Sequence, residues 1–213
     1  IRRSSDLGPY LTPLLLPVIK RYLPHITLEL IEGLTDRLED RLTDGALDVA
    51  ILATSPTRTN LTEIVLYDEP FWIAMPNDHP LTDQDVVDVT QIEPGELLLL
   101  SDGHCLRDQI YDACKLDRTL TRRNGGPRTQ QTSLATILAL VGAGEGITLV
   151  PAMSLASGWV TDSGIAVRSE ESGTAGRTVR LTLRKAYPRM ALVEKLADII
   201  AACLPNTVHP ARR

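Results

Sequence analysis

Apolar positions recur at helical spacing after Gly8-Pro9, where Leu11, Leu14, Leu15, Val18, Ile19 and Tyr22 mark one face of an expected helix. Pro13 falls near its first turn, Pro17 is expected to bend it, and Pro24 ends it. Ile26–Glu32 alternates and predicts a strand, Asp36–Leu42 predicts a short helix closed by Gly45, and Val49–Leu52 predicts a buried strand. This β-α-β rhythm signals a parallel sheet. Leu61–Tyr67 and Phe71–Met75 read as two more strands, separated by a turn at Asp68-Glu69-Pro70.

After Pro76-Asn77-Asp78-His79-Pro80 the pattern starts afresh. Leu97–Leu100 is four leucines in a row, a strand expected to be buried on both faces and to stop at Ser101-Asp102-Gly103. A helical pattern then runs from Cys105 through Leu106, Ile110 and Ala113. A helix over Ser133–Ala143, strands at Ile147–Val150 and Val179–Leu183, and a closing helix over Arg189–Leu204 complete the rhythm. Arg118–Pro127 and Ser169–Gly176 read as exposed loops. Gly142, Gly144, Gly146 and Pro151 punctuate a tight helix-to-strand turn, and their spacing is neither that of a dinucleotide fingerprint nor of a P-loop. The rhythm predicts a two-part α/β chain that crosses between its parts near Met75–Pro76 and again near Arg177. Its parts are therefore residues 1–75 with 178–213, and residues 76–177.

Composition narrows the class. A chain of 213 residues with 43% hydrophobic content can fill one large or two small cores, and with one Phe and two Trp those cores must be built from Leu, Ile, Val and Ala. The net charge of −5 argues against this chain gripping nucleic acid, whose phosphates are held by clustered Lys and Arg. No apolar run approaches the roughly 20 residues that span a bilayer, and no secretory leader is visible. Three cysteines without framework spacing fit a reducing, cytoplasmic setting. No membrane partner, metal or cofactor is expected.

The candidate chemistry lies where the leucine strand ends. Cys105 opens a helix, with His104 beside it and Arg107 close in sequence, a placement that favours thiolate over thiol. Only the thiolate attacks peroxides or disulfides quickly. On one straight helix Cys105 and Cys114 would stand roughly 13 Å apart along the axis and on opposite faces, whereas a disulfide needs Cα atoms within roughly 7 Å. Bond formation between them would require the intervening segment to unwind. Plainer readings stand beside these: a buried inert thiol for Cys105, a helix-face core residue for Cys114, a polar loop residue for His104, a helix cap for Thr35, and solvated helix charges for Arg107 and Asp108. Cys203, on the Leu192, Leu196, Ile199 and Ile200 face of the last helix, reads as core.

Gly103-His104-Cys105-Leu106-Arg107-Asp108-Gln109, with a second thiol at Cys114, resembles the signature of the OxyR family, LysR-type transcription regulators that sense hydrogen peroxide. Gly8-Pro9-Tyr10-Leu11, Leu47–Leu52, Asp68-Glu69-Pro70, Asp78-His79-Pro80, Thr132-Ser133-Leu134, Gly144–Pro151 and Arg177-Thr178-Val179 are similar to segments of that family in the same order. The resemblance implies a periplasmic-binding-protein-like fold of two Rossmann-like subdomains joined by two crossings. It implies a stoichiometric sensor rather than an enzyme, with Cys105 peroxidatic and Cys114 resolving through an intramolecular disulfide that switches transcription of antioxidant genes. Thr35, His104, Asp108 and Arg177 match positions around the peroxide pocket, and Arg177 is the better candidate for lowering the thiol pKa. Asp6 stands where most relatives carry a threonine that helps hold peroxide, and a carboxylate there would oppose thiolate formation. The segment between Cys114 and Thr132 is longer than usual in the family, with Arg128 where a histidine is often found.

The same resemblance implies partners. It implies a homodimer in which the Pro9–Leu23 helix, with Leu16, and the neighbouring Leu30 meet the partner's Ser133–Ala143 helix, with Ala143, and a tetramer for the full-length protein. DNA would be bound only through an N-terminal winged helix-turn-helix domain that this sequence lacks, and glutaredoxin or thioredoxin would reset the disulfide. Two other classes compete. One is a LysR-type or solute-binding domain for a small molecule without redox chemistry. The other is a cysteine peroxidase or thiol hydrolase, which ranks last because His104 and Cys105 are adjacent in sequence and no third orienting group is evident.

Overall fold

The computed structural model describes residues 2–4, 7–116, 130–131, 133–156 and 164–211. In chain order the elements are β1 (Arg2–Ser4), α1 (Gly8–Tyr22), β2 (Ile31–Gly33), α2 (Thr35–Thr43), β3 (Val49–Leu52), β4 (Leu61–Pro76), β5 (Val86–Val87), β6 (Leu99–Leu100) and α3 (Cys105–Ala113). They continue with β7 (Gln130–Gln131), α4 (Leu134–Gly142), β8 (Thr148–Pro151), β9 (Ile165–Glu170), β10 (Gly176–Arg184), α5 (Met190–Ala202) and β11 (His209–Pro210). The chain forms two compact units, Ile1–Glu69 with Thr178–Arg213, and Pro70–Arg177.

In the first unit β1 pairs parallel with both β2 and β3, while β10 runs antiparallel to β3. The β-α-β rhythm accounts for the parallel part, since each return of the chain runs through a helix. Helix α1 buries Leu11, Leu15 and Ile19, a stripe at four-residue spacing that turns Leu14 and Tyr22 outward to 37% and 55% exposure. Those two residues were expected on its apolar face. Under α2 a cluster of Leu38, Leu42, Leu47, Ala50, Leu52 and Leu61 forms the core. The strand expected over Ile26–Glu32 is reduced to Ile31–Gly33, because the ladder with β1 pairs only those residues with Arg2–Ser4. Alternation marks a side to bury, but a strand extends only as far as it has a partner.

The expected turn at Asp68-Glu69-Pro70 does not form, and β4 runs unbroken through it. Before Pro70, Tyr67 and Asp68 pair with β11; after it, Phe71–Ala74 pair with β8 and Trp72–Pro76 with β9. Proline, which has no amide N–H to give a ladder, sits where the strand changes partners. The first division between units therefore lies inside β4, earlier than Met75–Pro76.

In the second unit the leucine run is fully buried, each of Leu97–Leu100 at 1% exposure. Leu98 N–H donates to the Ile147 carbonyl at 2.7 Å, Ile147 N–H donates to the Glu96 carbonyl at 2.8 Å, and the Thr148 hydroxyl donates to the Leu98 carbonyl at 2.8 Å. Gly146 permits this approach. A Cβ there would lie 2.3 Å from the Glu96 carbonyl oxygen. The run is thereby fixed to β8 just before the cysteine helix begins.

Candidate functional site

The chain leaves β6 at Leu100 and turns through Gly103, whose φ of 92° is a left-handed conformation open to glycine. His104 is extended and occupies the N-cap position, which makes Cys105 the first residue of α3. Its sulfur is held at the positive end of the helix dipole, where negative charge is favoured. His104, Cys105 and Arg107 are 8%, 9% and 8% exposed.

Arg107 is not the solvated charge expected by default. Its Nη1 lies 2.7 Å from Asp102 Oδ1, and its guanidinium sits 5.5 Å from the centre of the Tyr111 ring. The side chain ties the Asp102-Gly103 turn to the helix and so fixes the direction from which Cys105 emerges. The sequence signal was present in the (i, i+4) spacing of Arg107 and Tyr111, a pair that meets on a helix face.

At the other end, Cys114 closes α3, its N–H donating to the Ile110 carbonyl at 2.9 Å. Neither cysteine is in a disulfide, and Cys114 is 6% exposed. Burial pushes the Cys114 thiol up to about 12, and the negative charge of Glu170 adds to the effect. Burial works against the Glu170 carboxylate as well, yet its hydrogen bonds outweigh that and hold it below the usual range. It accepts from Ser172 N–H at 2.9 Å, the Ser172 hydroxyl at 2.8 Å and Ala175 N–H at 3.3 Å. Sequence reasoning missed Glu170, because one of two adjacent acids at a strand end gives no sign that it will be buried and act on a cysteine from another element. The residues between Cys105 and Cys114 are helical, so at about 1.5 Å per residue the thiols stand about 13 Å apart along the axis.

The raised Cys114 value sets a pH dependence. Below its ordinary 9.0 the thiol is protonated whether the chain is folded or not, and its contribution to stability is complete. As pH rises toward about 12 the unfolded chain ionises while the folded one does not, so stability is lost through that window. Urea unfolding followed from about pH 8 to about pH 10.5 is expected to show the wild type losing up to about 1.4 kcal/mol per pH unit relative to Cys114→Ser. Parallel curves for the two proteins would refute the assignment.

The other expected site residues are distributed between the units. Asp108 is exposed in the first turn of α3, three residues after Cys105 and hence near it on the helix surface. Arg177 is 6% exposed at the start of β10 and is the last residue of the second unit. Thr35 belongs to the first unit, where it is the first residue of α2 and not its cap, since Leu34 takes the N-cap position in extended conformation. The Thr35 hydroxyl is buried and has no hydrogen-bond partner among the described residues. Asp6, Arg128 and the loop expected over Arg118–Pro127 lie outside the described residues. Leu16 and Leu30 are half-buried and Ala143, which follows α4, is exposed. Cys203, expected in the core, follows α5 as its C-cap and is half-buried. Among the described residues no three His, Cys, Asp or Glu side chains gather as metal ligands.

A family model described as the LysR substrate binding domain matches residues 3–204. The chain belongs to that family. Relatives within it include OxyR proteins. The reduced form of the OxyR regulatory domain from Pseudomonas aeruginosa superposes with a TM-score of 0.84 at 34% identity, covering 95% of this chain and 96% of that one. A hydrogen-peroxide-bound cysteine-to-serine mutant of Corynebacterium glutamicum OxyR gives a TM-score of 0.85 at 33% identity, covering 95% of this chain and 63% of that one. A probable hydrogen peroxide-inducible genes activator of Mycobacterium leprae is 34% identical over 203 residues, 95% of this chain and 64% of its own length. The chain thus spans just under two thirds of that curated relative. The two-unit α/β architecture is the periplasmic-binding-protein-like fold of the family, as the Gly103–Gln109 signature implied.

Proposed function

We propose that this domain is the hydrogen-peroxide sensor of a LysR-type transcription regulator, with Cys105 as its reactive group. The observation that carries the reading is the pair of buried thiols, in no disulfide, at the two ends of α3, one at the helix N-terminus and the other kept protonated. The Cys105 thiolate attacks one peroxide oxygen; the O–O bond breaks, a sulfenic acid forms, and the second oxygen leaves with a proton as water. Cys114 then gives up its thiol proton and attacks the sulfenic sulfur; the S–S bond forms, the S–O bond breaks, and the hydroxyl leaves with that proton as water. The chain is consumed once per oxidation and returns only when a dithiol reductant such as glutaredoxin or thioredoxin supplies two electrons, so it acts as a sensor and not as an enzyme.

His104, next to Cys105 in sequence at the N-cap of α3, is assigned to hydrogen-bond the oxidant or take its proton. Asp108 joins that network, and Arg177 supports the thiolate. Thr35 is assigned to the same network through its hydroxyl, which has no hydrogen-bond partner among the described residues, and Asp6 in place of a threonine either points away or changes the rate of the reaction. Transmission runs from the refolded Cys105–Cys114 segment to an N-terminal DNA-binding domain outside this sequence, and so to antioxidant genes. The low content of Lys and Arg relative to Asp and Glu, 22 against 27, supports leaving DNA contact to that domain. A reducing cytoplasm suits cysteines that are in no disulfide, and among the described residues no helix is long and apolar enough to cross a membrane.

Counting alkylatable thiols by intact-mass spectrometry of the unfolded chain tests the chemistry. All three cysteines should label before treatment and only Cys203 after one equivalent of peroxide. Retention of all three, or loss of Cys203 instead, defeats the reading.

A second expectation concerns assembly. Leu16 and the exposed Leu14 on α1, with Leu30, and the exposed small residues Ala139 and Ala143 at α4 form the surfaces proposed to pair with a second copy, each meeting the other twice. Light scattering at tens of micromolar should give a dimer, and the full-length protein a tetramer. A monomer in both redox states would remove the proposed interface.

A further inference from the structure

We propose that the first unit carries a second binding site, for a small carboxylate with an apolar body, in which Arg41 receives the carboxylate. A cavity of ≈ 520 Å³ opens between the end of α1, the irregular segment that follows it, β3 and α5. Its size is within the roughly 300–1,000 Å³ of small-molecule sites. The walls are apolar, formed by Leu23, Ile26, Leu28, Val49 and Leu196 among others, and the first three of these are only half-buried in the folded unit. Arg41, on the last turn of α2, is the polar feature of the lining that calls for a ligand. Its Nε is buried and has no hydrogen-bond partner among the described residues. A buried guanidinium N–H without an acceptor is costly, and the acceptor that best fits the planar fork is a carboxylate, which takes two parallel N–H donors.

The other charged groups at the cavity leave this preference standing. Asp48 is exposed and accepts a hydrogen bond from the Tyr187 hydroxyl at 3.1 Å, Glu29 is exposed, and Arg189 and His25 are exposed on the same lining. The charged rim therefore contains both signs, whereas the buried N–H without an acceptor, Arg41 Nε, belongs to a half-buried cation. An alcohol of the same body would satisfy the walls and give Nε at most one oxygen. An amine would set like charge against Arg41.

All lining residues belong to the first unit and Cys105 and Cys114 to the second, so the site does not depend on the peroxide reading. The test is calorimetric titration of the chain with octanoate, 1-octanol and octylamine at one ionic strength, repeated on Arg41→Met and on Cys105→Ser. Methyl NMR shifts of Leu23, Leu28, Leu192 and Leu196 locate the bound probe. Octanoate should bind saturably at these methyls, and both 1-octanol and Arg41→Met should weaken binding about tenfold or more, the loss of one charge-assisted pair. Cys105→Ser should bind octanoate as the wild type does. Unfolding curves of Arg41→Met guard against a folding defect, and Arg41→Lys, which keeps the charge without the fork, should fall between the two. Equal affinity for octanoate and octanol, tighter binding of octylamine, shifts confined to the second unit, or no saturable binding by any probe would overturn the site.

Discussion

Cys105→Ser is expected to abolish every peroxide-dependent change in the chain, whereas Cys114→Ser should leave a sulfenic acid on Cys105 that dimedone traps. The asymmetry follows from the two ends of one helix. Cys105 sits where the α3 dipole stabilises an anion, and Cys114 sits at the opposite end, buried, beside a carboxylate. With its thiol near 12, Cys114 is ionised at neutral pH to only about one part in 10⁵. A thiol so rarely in its nucleophilic form cannot compete for peroxide, so the order of events is set before any oxidant arrives. The Cys114→Ser protein should therefore label fully at Cys105, and the Cys105→Ser protein should not label at Cys114. Dimedone on Cys114 in the latter would reverse the roles.

The second large effect is expected in the reduction potential of the resulting disulfide, with a midpoint near the glutaredoxin range of about −200 to −230 mV. A disulfide requires Cα atoms within roughly 7 Å, and α3 holds its ends about 13 Å apart. Closing that gap means unwinding a helix that buries Leu106, Ile110 and Tyr111 and is tied to its entering turn by Arg107 and Asp102. The packing lost raises the free energy of the oxidised state, and for this two-electron couple about 1.4 kcal/mol shifts the potential by about 30 mV. Structural disulfides commonly lie below about −300 mV. Equilibration against glutathione buffers, read by thiol alkylation, measures the midpoint. A value in the structural range would mean that the bond forms without cost to the fold, and the switch would have to be abandoned.

The sequence announced the site better than its surroundings. Leu97–Leu100 and Val49–Leu52 were legible because a run of buried aliphatic residues has few alternatives, and the start of α3 was legible because glycine and a polar turn precede it. Pro70 misled because proline is a breaker on average, while here it stands where β4 changes partners and needs no amide donor. Ile26–Glu32 misled because alternation reports which side is apolar and is silent about whether a neighbouring strand is present. Arg107 and Glu170 are buried through partners set by the fold, Asp102 at short range and the 172–175 turn around the carboxylate. Thr35 has the residue type of a cap, but the helix begins one position earlier than a cap at Thr35 would need.

The hydrogen bonds that join Glu96 and Leu98 to Ile147, with Thr148 beside them, have a bearing on where motion can occur. They moor the chain immediately upstream of Cys105 to a strand in the interior of the unit, while the backbone N–H of Cys114 is held by the helix's own Ile110 carbonyl. If the disulfide forms as proposed, this mooring leaves the rearrangement to the downstream end of α3, with Cys114 travelling toward a nearly stationary Cys105. On that reading the sulfur that meets the oxidant keeps its address in both states, the reductant that later opens the bond finds it in the same place, and the Cys114 end, not the reactive one, is the output of the device.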